Sequence, residues 1–148
     1  LALLVALREA GDPLPAAALL ISPWADLTGA AASLESKRAE DCSLTPEGLT
    51  ACAAHYLGGR DPAHPLASPA LADLSGLPPL IVQVGSIEIL LDDALAIAAS
   101  AGAGGTQVTL EVIPGLPHVF HAFHFMLPQA SAALERAGAF LKAAAGGR

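Results

Sequence analysis

The chain contains few of the residues that mark several common classes of protein. Its 148 residues include only two cysteines, Cys42 and Cys52, whose spacing matches no paired metal or redox motif. We therefore expect two reduced thiols and a cytoplasmic location. Seven lysines and arginines stand against 14 acidic residues, for a net charge of −7. That balance argues against a nucleic-acid partner, because phosphate binding needs clustered cations.

Long hydrophobic runs are also absent, although hydrophobic residues make up 53% of the chain. No apolar run approaches the ~20 residues that a membrane-spanning helix needs, so we expect no membrane span. No basic segment followed by an apolar core is visible at the start, and hence no signal peptide is recognised. The length corresponds to one domain.

A nucleophile motif is missing as well. No serine has glycine at both the −2 and +2 positions, so the chain lacks a Gly-x-Ser-x-Gly elbow. Ser100 comes nearest, in Ala98-Ala99-Ser100-Ala101-Gly102. An elbow serine must lie on a sharp strand-to-helix turn, whereas Ser100 ends a predicted helix, and we therefore reject it.

Hydrophobic periodicity predicts alternating helices and strands, which is typical of an α/β fold with a parallel sheet. The first apolar run is typical of an internal strand, whereas the last strand alternates and is expected near a sheet edge. The predicted strands are 16–21, 80–84 and 106–112, and the predicted helices are 1–10, 46–57, 91–101 and 119–144, the last kinked or restarted at Pro128.

An acid and a histidine follow two consecutive predicted strands. Glu88 lies just beyond the second strand, and His118 follows the third, 30 residues later. The carboxyl ends of parallel strands meet at one edge of a sheet. An acid that orients a histidine base forms the last two members of a Ser–acid–His triad in chain order. We therefore identify His118 and Glu88 as candidate catalytic residues.

Other interpretations of these two side chains remain open. His118 could be an ordinary exposed loop histidine. Glu88, with Asp92 and Asp93, could simply place negative charge near the start of the next helix. Asp92 or Asp93 could also be the orienting acid, although each lies further from the strand end.

His118, His121 and His124 recur at intervals of three residues. No carboxylate or cysteine joins them at ligand spacing, so we expect no metal site. His121 and His124 are interpreted as partly exposed helix residues.

Aromatic residues on either side of the candidate site have two interpretations. The phenylalanines around the histidines are expected to lie mostly in the core, and Val119 or Phe120 could border an acyl pocket because both adjoin His118. Trp24 and Asp26 form either the edge of a pocket or an aromatic plug with an Asx turn.

Several segments together resemble the C-terminal part of the bacterial hormone-sensitive-lipase-like esterases, within the α/β-hydrolases. The resemblance covers essentially the whole chain. It rests on residues 20–28 (LISPWADLT), Tyr56-Leu57-Gly58-Gly59, Asp61-Pro62, Pro65-Leu66-Ala67-Ser68-Pro69, residues 77–85 (LPPLIVQVG), Leu90-Leu91-Asp92-Asp93 and Pro114-Gly115-Leu116-Pro117-His118-Val119-Phe120.

The resemblance implies a three-layer α/β-hydrolase fold, of which 1–148 would supply only the last three parallel strands with their flanking helices. It implies hydrolysis of short to medium acyl esters, small-molecule substrates, and no metal or organic cofactor. His118 would be the triad base, and Glu88 would stand where the family commonly has Asp. The nucleophile elbow and the oxyanion segment would lie upstream of Leu1.

Two functional hypotheses follow. In the first, the intact protein is a serine carboxylesterase, and this chain contributes the base and the acid. In the second, the chain is a non-catalytic fragment or an interaction module on a hydrolase fold. Taken alone, it would then leave strand 16–21 as an unpaired edge and would tend to associate. In related esterases the last strand and helix often form a dimer interface, and strand 106–112 is compatible with such a homodimer.

Overall fold

The computed structural model describes residues 1–146 and contains three strands and five α-helices within them. In chain order these are α1 (Ala2–Ala10), β1 (Ala18–Ile21), α2 (Ser33–Ser36), α3 (Pro46–Leu57), β2 (Leu80–Gly85), α4 (Leu91–Ala103), β3 (Val108–Ile113) and α5 (Pro128–Gly146). Short 3-10 turns lie at Pro69–Leu71 and Phe120–Phe123. No helix within 1–146 combines the length and apolar character needed to cross a bilayer.

Local sequence signals account for the ends of the first long helices. Thr45 caps α3, and its hydroxyl accepts a hydrogen bond from the Gly48 amide at 3.1 Å. Gly58 ends α3, and Gly11 ends α1; both adopt the left-handed backbone conformation that glycine favours. The predicted bounds of α3 and the predicted end of α1 are confirmed, and α1 begins one residue later than predicted.

The three strands form one parallel sheet in the order β1-β2-β3. Leu80 pairs with Ala18 on one side and with Val108 on the other, so β2 is central and buried along its whole length. β1 is an outer strand of intermediate burial, although its apolar sequence is typical of an internal strand. β3 is the other outer strand, as predicted from its alternation, and the dimer contact expected there stays a prediction.

Helices cover both faces of the sheet. Leu80, Val82 and Val84 of β2 pack in one cluster with residues of α1 and α4. The intervening residue Gln83 faces the other way and donates a hydrogen bond to the Ala133 carbonyl of α5. Because successive strand residues point to opposite faces, α5 lies across the sheet from α4. The result is a helix–sheet–helix sandwich, and the predicted three-layer α/β architecture is confirmed.

The segment after β3 differs from the prediction. A helix over 119–144 was expected, but Val119 has a φ of 50°, which interrupts helical geometry at its first residue. A 3-10 turn then covers Phe120–Phe123, and regular α-helix begins only at Pro128. The predicted restart at Pro128 is therefore confirmed, whereas the helical assignment of 119–127 is wrong.

The region 29–44, which has no clear hydrophobic period, contains the short helix α2. Cys42, at the end of this region, and Cys52 of α3 are both free and exposed.

Candidate active site

The loops that follow the three strands meet at the carboxyl edge of the sheet. Ser22 comes directly after β1, Glu88 lies three residues beyond β2, and His118 lies five residues beyond β3. Parallel pairing brings these strand ends together, although Ser22 and His118 are far apart in sequence. The edge therefore collects a hydroxyl, a carboxyl and an imidazole.

Glu88 and His118 form a direct hydrogen bond. His118 Nδ1 lies 2.9 Å from Glu88 Oε2. The carboxyl side chain is fully buried, whereas the imidazole keeps 23% of its side-chain surface exposed. A carboxylate accepts hydrogen bonds, so neutral His118 carries its proton on Nδ1 and its lone pair on Nε2. This is the tautomer that a histidine needs to act as a general base.

The second oxygen of Glu88 is held from two directions. Oε1 accepts the Gly85 amide at 2.6 Å and the Ser22 hydroxyl at 2.7 Å. With His118 on Oε2, the buried carboxylate receives three hydrogen bonds. Such donors compensate for the loss of water around a buried charge.

The loop that carries His118 is tied to the end of β2. Ser86 donates its amide to the Ile113 carbonyl at 3.0 Å, and its hydroxyl accepts the Gly115 amide at 2.9 Å. Gly115 itself has a φ of 71°, in the left-handed region where glycine is favoured. These contacts place the histidine loop directly over the loop that carries Glu88.

Comparison with known proteins identifies the fold family. A family model described as the alpha/beta hydrolase fold matches residues 1–122. The chain belongs to the α/β-hydrolase family. An acetyl-hydrolase of Streptomyces hygroscopicus is 53% identical over 145 residues, which cover 98% of this chain and 48% of that protein.

Solved structures agree with this assignment. An esterase from the bacterial hormone-sensitive lipase family is 49% identical, with a TM-score of 0.92 over 95% of this chain and 47% of that chain. The esterase EstE5, in a crystal soaked with p-nitrophenyl butyrate, is 46% identical, with a TM-score of 0.93 over 97% and 48% of the two chains. The α/β-hydrolase chain spans about half the length of these relatives. Its resemblance to the C-terminal half of hormone-sensitive-lipase-like esterases is confirmed.

The other two candidate acids of this α/β-hydrolase have different partners. Asp92 Oδ2 accepts the Ser33 amide at 2.8 Å, and the Ser33 hydroxyl accepts the Asp92 amide at 3.1 Å. Asp93 Oδ2 accepts the amides of Ala25 and Asp26, at 2.6 and 2.9 Å. Asp92 therefore joins α4 to α2, and Asp93 joins α4 to the loop after β1, while Glu88 is the acid bonded to His118.

Burial changes the acidity of Asp93. Loss of water around its carboxyl raises the pKa to about 6, and the hydrogen bonds from Ala25 and Asp26 offset part of that rise. Asp93 fastens the loop after β1.

The histidines beyond His118 occupy unlike environments. His121 is buried at 4% exposure, so its interpretation as a partly exposed helix residue is wrong, whereas His124 is exposed. His121 Nε2 lies 2.9 Å from Gln83 Oε1, and the ring stacks on Phe120. Within residues 1–146, no three His, Cys, Asp or Glu side chains converge in a group that could hold a metal ion.

The hydrogen bonds of Gln83 determine the tautomer of His121. Gln83 Nε2 donates to Glu111 Oε2 and to the Ala133 carbonyl, at 2.7 and 2.8 Å. Gln83 Oε1 is consequently an acceptor, and His121 must donate to it from Nε2. Glu111 is in turn paired with Arg136 of α5. This network joins the segment after His118 to β2, β3 and α5.

The aromatic residues around the site divide between core and surface. Phe120 is fully buried and packs with Ala130 and Ala133 of α5, but Phe123 and Phe125 are 44% and 72% exposed. The expectation that these phenylalanines are mostly core therefore holds for Phe120 alone. The 3-10 turn replaces the predicted helix and directs the later rings outward.

Trp24 and Asp26 show features of both predictions, an aromatic plug with an Asx turn and the edge of a pocket. Asp26 forms an Asx turn with the Thr28 amide at 2.8 Å. Trp24 packs, partly buried, against Leu49, Ile89 and Leu90, and it also borders an open groove of 420 Å³.

Sequence reasoning missed Ser22 and Gly85, whose contacts shape the site. Ser22 stood within a family segment, but no local pattern linked it to residues 66 and 97 positions away. Gly85 lies in segment 77–85, which contributes to the family resemblance, but no local pattern gives it a role. The one sequence signal for the role of Gly85 is its position at the end of a buried strand, because a glycine there often marks the close approach of another backbone segment.

Proposed function

We propose that the protein is a carboxylic ester hydrolase with a Ser–His–Glu triad, to which this chain contributes His118 and Glu88. The observation that carries the proposal is the 2.9 Å hydrogen bond between His118 Nδ1 and buried Glu88 Oε2. It leaves Nε2 as the basic atom, at the sheet edge where α/β enzymes place their sites. The names of the relatives, an acetyl-hydrolase and esterases, support the reaction class.

The proposed domain organisation follows from the missing serine. We infer that 1–148 forms the C-terminal part of a single α/β-hydrolase domain, with the nucleophile elbow and the oxyanion donors encoded before Leu1. The chain contains no Gly-x-Ser-x-Gly motif, and it spans about half of each relative described above. The serine would then enter the site beside His118 Nε2.

In the proposed reaction, the serine hydroxyl attacks the ester carbonyl while His118 Nε2 takes its proton. Collapse of the tetrahedral intermediate breaks the ester C–O bond, and His118 returns the proton to the departing alcohol. Water then attacks the acyl-enzyme with His118 again as base, which releases the carboxylic acid and restores the serine. Glu88 stabilises the imidazolium that forms in each half-reaction and keeps Nδ1 protonated.

Short to medium acyl esters are the proposed substrates. The Streptomyces relative is named an acetyl-hydrolase, and the solved EstE5 structure comes from a crystal soaked with a butyrate ester. No part of the proposed chemistry requires a metal or an organic cofactor.

The test starts from the DNA upstream of the Leu1 codon. We expect an in-frame Gly-x-Ser-x-Gly shortly before Leu1 and a His-Gly-Gly segment some tens of residues earlier. The protein from the complete reading frame should hydrolyse p-nitrophenyl acetate and butyrate, and should prefer them to the palmitate ester. Unrelated upstream sequence would overturn the proposal and favour an interaction module.

Substitution of the base makes the test specific. In the full-length protein, His118→Ala should lower kcat by about 10⁶-fold, as loss of the base does in other serine hydrolases. A fluorophosphonate probe should label the wild-type serine and should fail to label this variant. The matched control is His124→Ala, which changes an exposed histidine six residues away. Full activity in His118→Ala would refute the assignment.

A further inference from the structure

Two non-glycine residues in the described part of the chain adopt positive φ, and they are bonded to each other. Ser22 has a φ of 42° and Val119 has a φ of 50°. The Val119 amide lies 3.0 Å from Ser22 Oγ, across 97 positions of sequence. A positive φ is especially unfavourable for a β-branched residue such as valine. Strained backbone of this kind persists where surrounding contacts over-determine it, and it clusters at functional sites.

The direction of each hydrogen bond at Ser22 follows from its partners. A backbone amide can only donate, so Ser22 Oγ accepts from Val119. The single hydroxyl proton of Ser22 is therefore directed to Glu88 Oε1, at 2.7 Å. Ser22 is 4% exposed, so water does not compete effectively for either bond. The hydroxyl donates its proton to Glu88 and not to His118. This argues against Ser22 as a nucleophile in place of the missing elbow serine.

The two bonds act on both members of the acid–base pair. Ser22 and the Gly85 amide together hold Glu88 Oε1, which directs Oε2 to His118. Val119 is the residue after His118, so its amide bond to Ser22 also fixes the backbone from which the imidazole extends. Ser22 itself is anchored to β2, because its amide donates to the Gln83 carbonyl at 2.8 Å. One residue, through its amide and its hydroxyl, thus links the ends of all three strands.

We propose that Ser22 is a positioning residue for the acid–base pair. Its hydroxyl holds Glu88 in the rotamer that accepts a hydrogen bond from His118 Nδ1–H. Its oxygen also accepts the Val119 amide, which holds the His118 loop in place. The inference rests on the proposed function for its catalytic consequence. The effect of Ser22 on the Glu88–His118 hydrogen bond can be measured separately from catalysis.

Two substitutions separate the hydroxyl from the backbone strain. Ser22→Ala removes Oγ and keeps a side chain at positive φ, whereas Ser22→Gly removes Oγ and relieves the strain. If Ser22 merely shaped the turn, Ser22→Gly would behave like the wild type. If the hydroxyl positions Glu88, both variants should weaken the Glu88–His118 hydrogen bond. Ser36→Ala, at an exposed position on α2, is the matched control.

The first readout is the proton resonance of His118 Nδ1–H in NMR spectra of the full-length protein. A histidine N–H bonded to a carboxylate resonates far downfield, and His118→Ala assigns the signal. We expect this resonance in the wild type and in Ser36→Ala. It should be lost or moved upfield in both Ser22 variants. An unchanged resonance in folded Ser22→Gly would overturn the proposal.

The second readout is catalysis. A misplaced acid–base pair costs on the order of 10²-fold, so we expect kcat to fall by that factor in both Ser22 variants, with KM little changed. Wild-type kcat in Ser22→Gly would contradict the proposal while leaving the esterase assignment intact. If His118→Ala kept full activity, the assignment of His118 as the catalytic base would fail, and the resonance alone would decide whether Ser22 orients Glu88.

Discussion

Gly85, the last residue of β2, lies directly beneath the backbone of Leu116. A Cβ atom at Gly85 would overlap the Leu116 carbonyl oxygen and would come within 2.6 Å of its carbonyl carbon. The Gly85 amide also donates to Glu88. The absence of a side chain at this position lets the histidine loop approach the loop of the acid.

Gly85→Ala should therefore destabilise the protein. The clash is with backbone atoms, which cannot swing aside as a flexible side chain can. We expect a loss of about 3 kcal/mol in the free energy of unfolding, at the upper end of overpacking substitutions, measured by urea denaturation.

The control for this substitution is Gly138→Ala, on the exposed face of α5, where an added Cβ meets nothing within 4 Å. Alanine is the better helix former, so this variant should be as stable as the wild type or more stable by up to about 1 kcal/mol. Equal stability of Gly85→Ala and the wild type would mean that the two loops are not in contact.

Substitution of the acids should distinguish Glu88 from Asp92. Glu88→Gln in the full-length protein should lower kcat of the proposed ester hydrolysis by about 10⁴-fold, as acid-to-amide changes do in other triads, because the amide no longer enforces the correct imidazole tautomer. Asp92→Asn should change kcat little, because its carboxyl bonds the Ser33 amide. Retained activity in Glu88→Gln, with loss in Asp92→Asn, would assign the acid to Asp92.

Acid pH should weaken the fold through His121. Burial lowers the pKa of His121, although the charges of Glu88 and Glu111 oppose that shift. A proton added to its buried Nδ1 would find no hydrogen-bond acceptor in the described structure. The unfolded chain then binds more protons than the folded chain, so stability falls as pH drops below about 6.5, where an ordinary histidine titrates.

Urea denaturation at several pH values measures this dependence. The substitution His121→Gln should make the loss of stability below about pH 6.5 shallower than in the wild type. Replacement of exposed His124 by glutamine should leave the slope unchanged. The same slope in His121→Gln and the wild type would show that His121 titrates normally.

The titration of Asp93 should change folding stability with pH in the direction opposite to that of His121. Its folded pKa of about 6 exceeds the ordinary aspartate value of 3.8, so the folded state holds a proton that the unfolded state has lost between these values. Its contribution to stability is present at low pH and is lost as pH rises through about 6. With about 1.4 kcal/mol per pKa unit, the cost of the ionised form at neutral pH reaches about 3 kcal/mol.

Asp93→Asn removes this titration and keeps an oxygen to accept the amides of Ala25 and Asp26. Relative to the wild type, the variant should gain up to about 3 kcal/mol of stability between about pH 4 and about pH 7. Exposed Asp12→Asn should show no such change. A constant difference between Asp93→Asn and the wild type across this range would refute the prediction.

Much of the fold could be predicted because its signals are local. The Thr45 cap, the helix-ending Gly58 and the apolar run of β2 each depend on neighbours within a few residues, and all three appear as predicted. Glu88 and His118 could be paired because parallel strands place their carboxyl ends together, a rule that holds without any detail of packing.

The segment after His118 could not be predicted in the same way. Its apolar spacing is typical of a helix, but Val119 is held at positive φ by its bond to Ser22, and regular helix begins nine residues later. The buried state of His121 likewise depends on Gln83, which faces it from β2. Contacts between distant residues override local preference at both positions.

The sequence by itself determined the order of helices and strands, the family, and which acid and which histidine follow adjacent strands. The element order and the positions of the acid and the histidine depend on periodicity, capping and chain order, which neighbouring residues determine, and the family is indicated by the resemblance of several short segments. Only the tertiary structure decided that Ser22 and Gly85 hold Glu88, that Asp92 and Asp93 bind α2 and the loop after β1, and that His121 is buried. The physical reason is that a hydrogen bond or a close approach between residues tens of positions apart exists only after the strands have paired and aligned their ends.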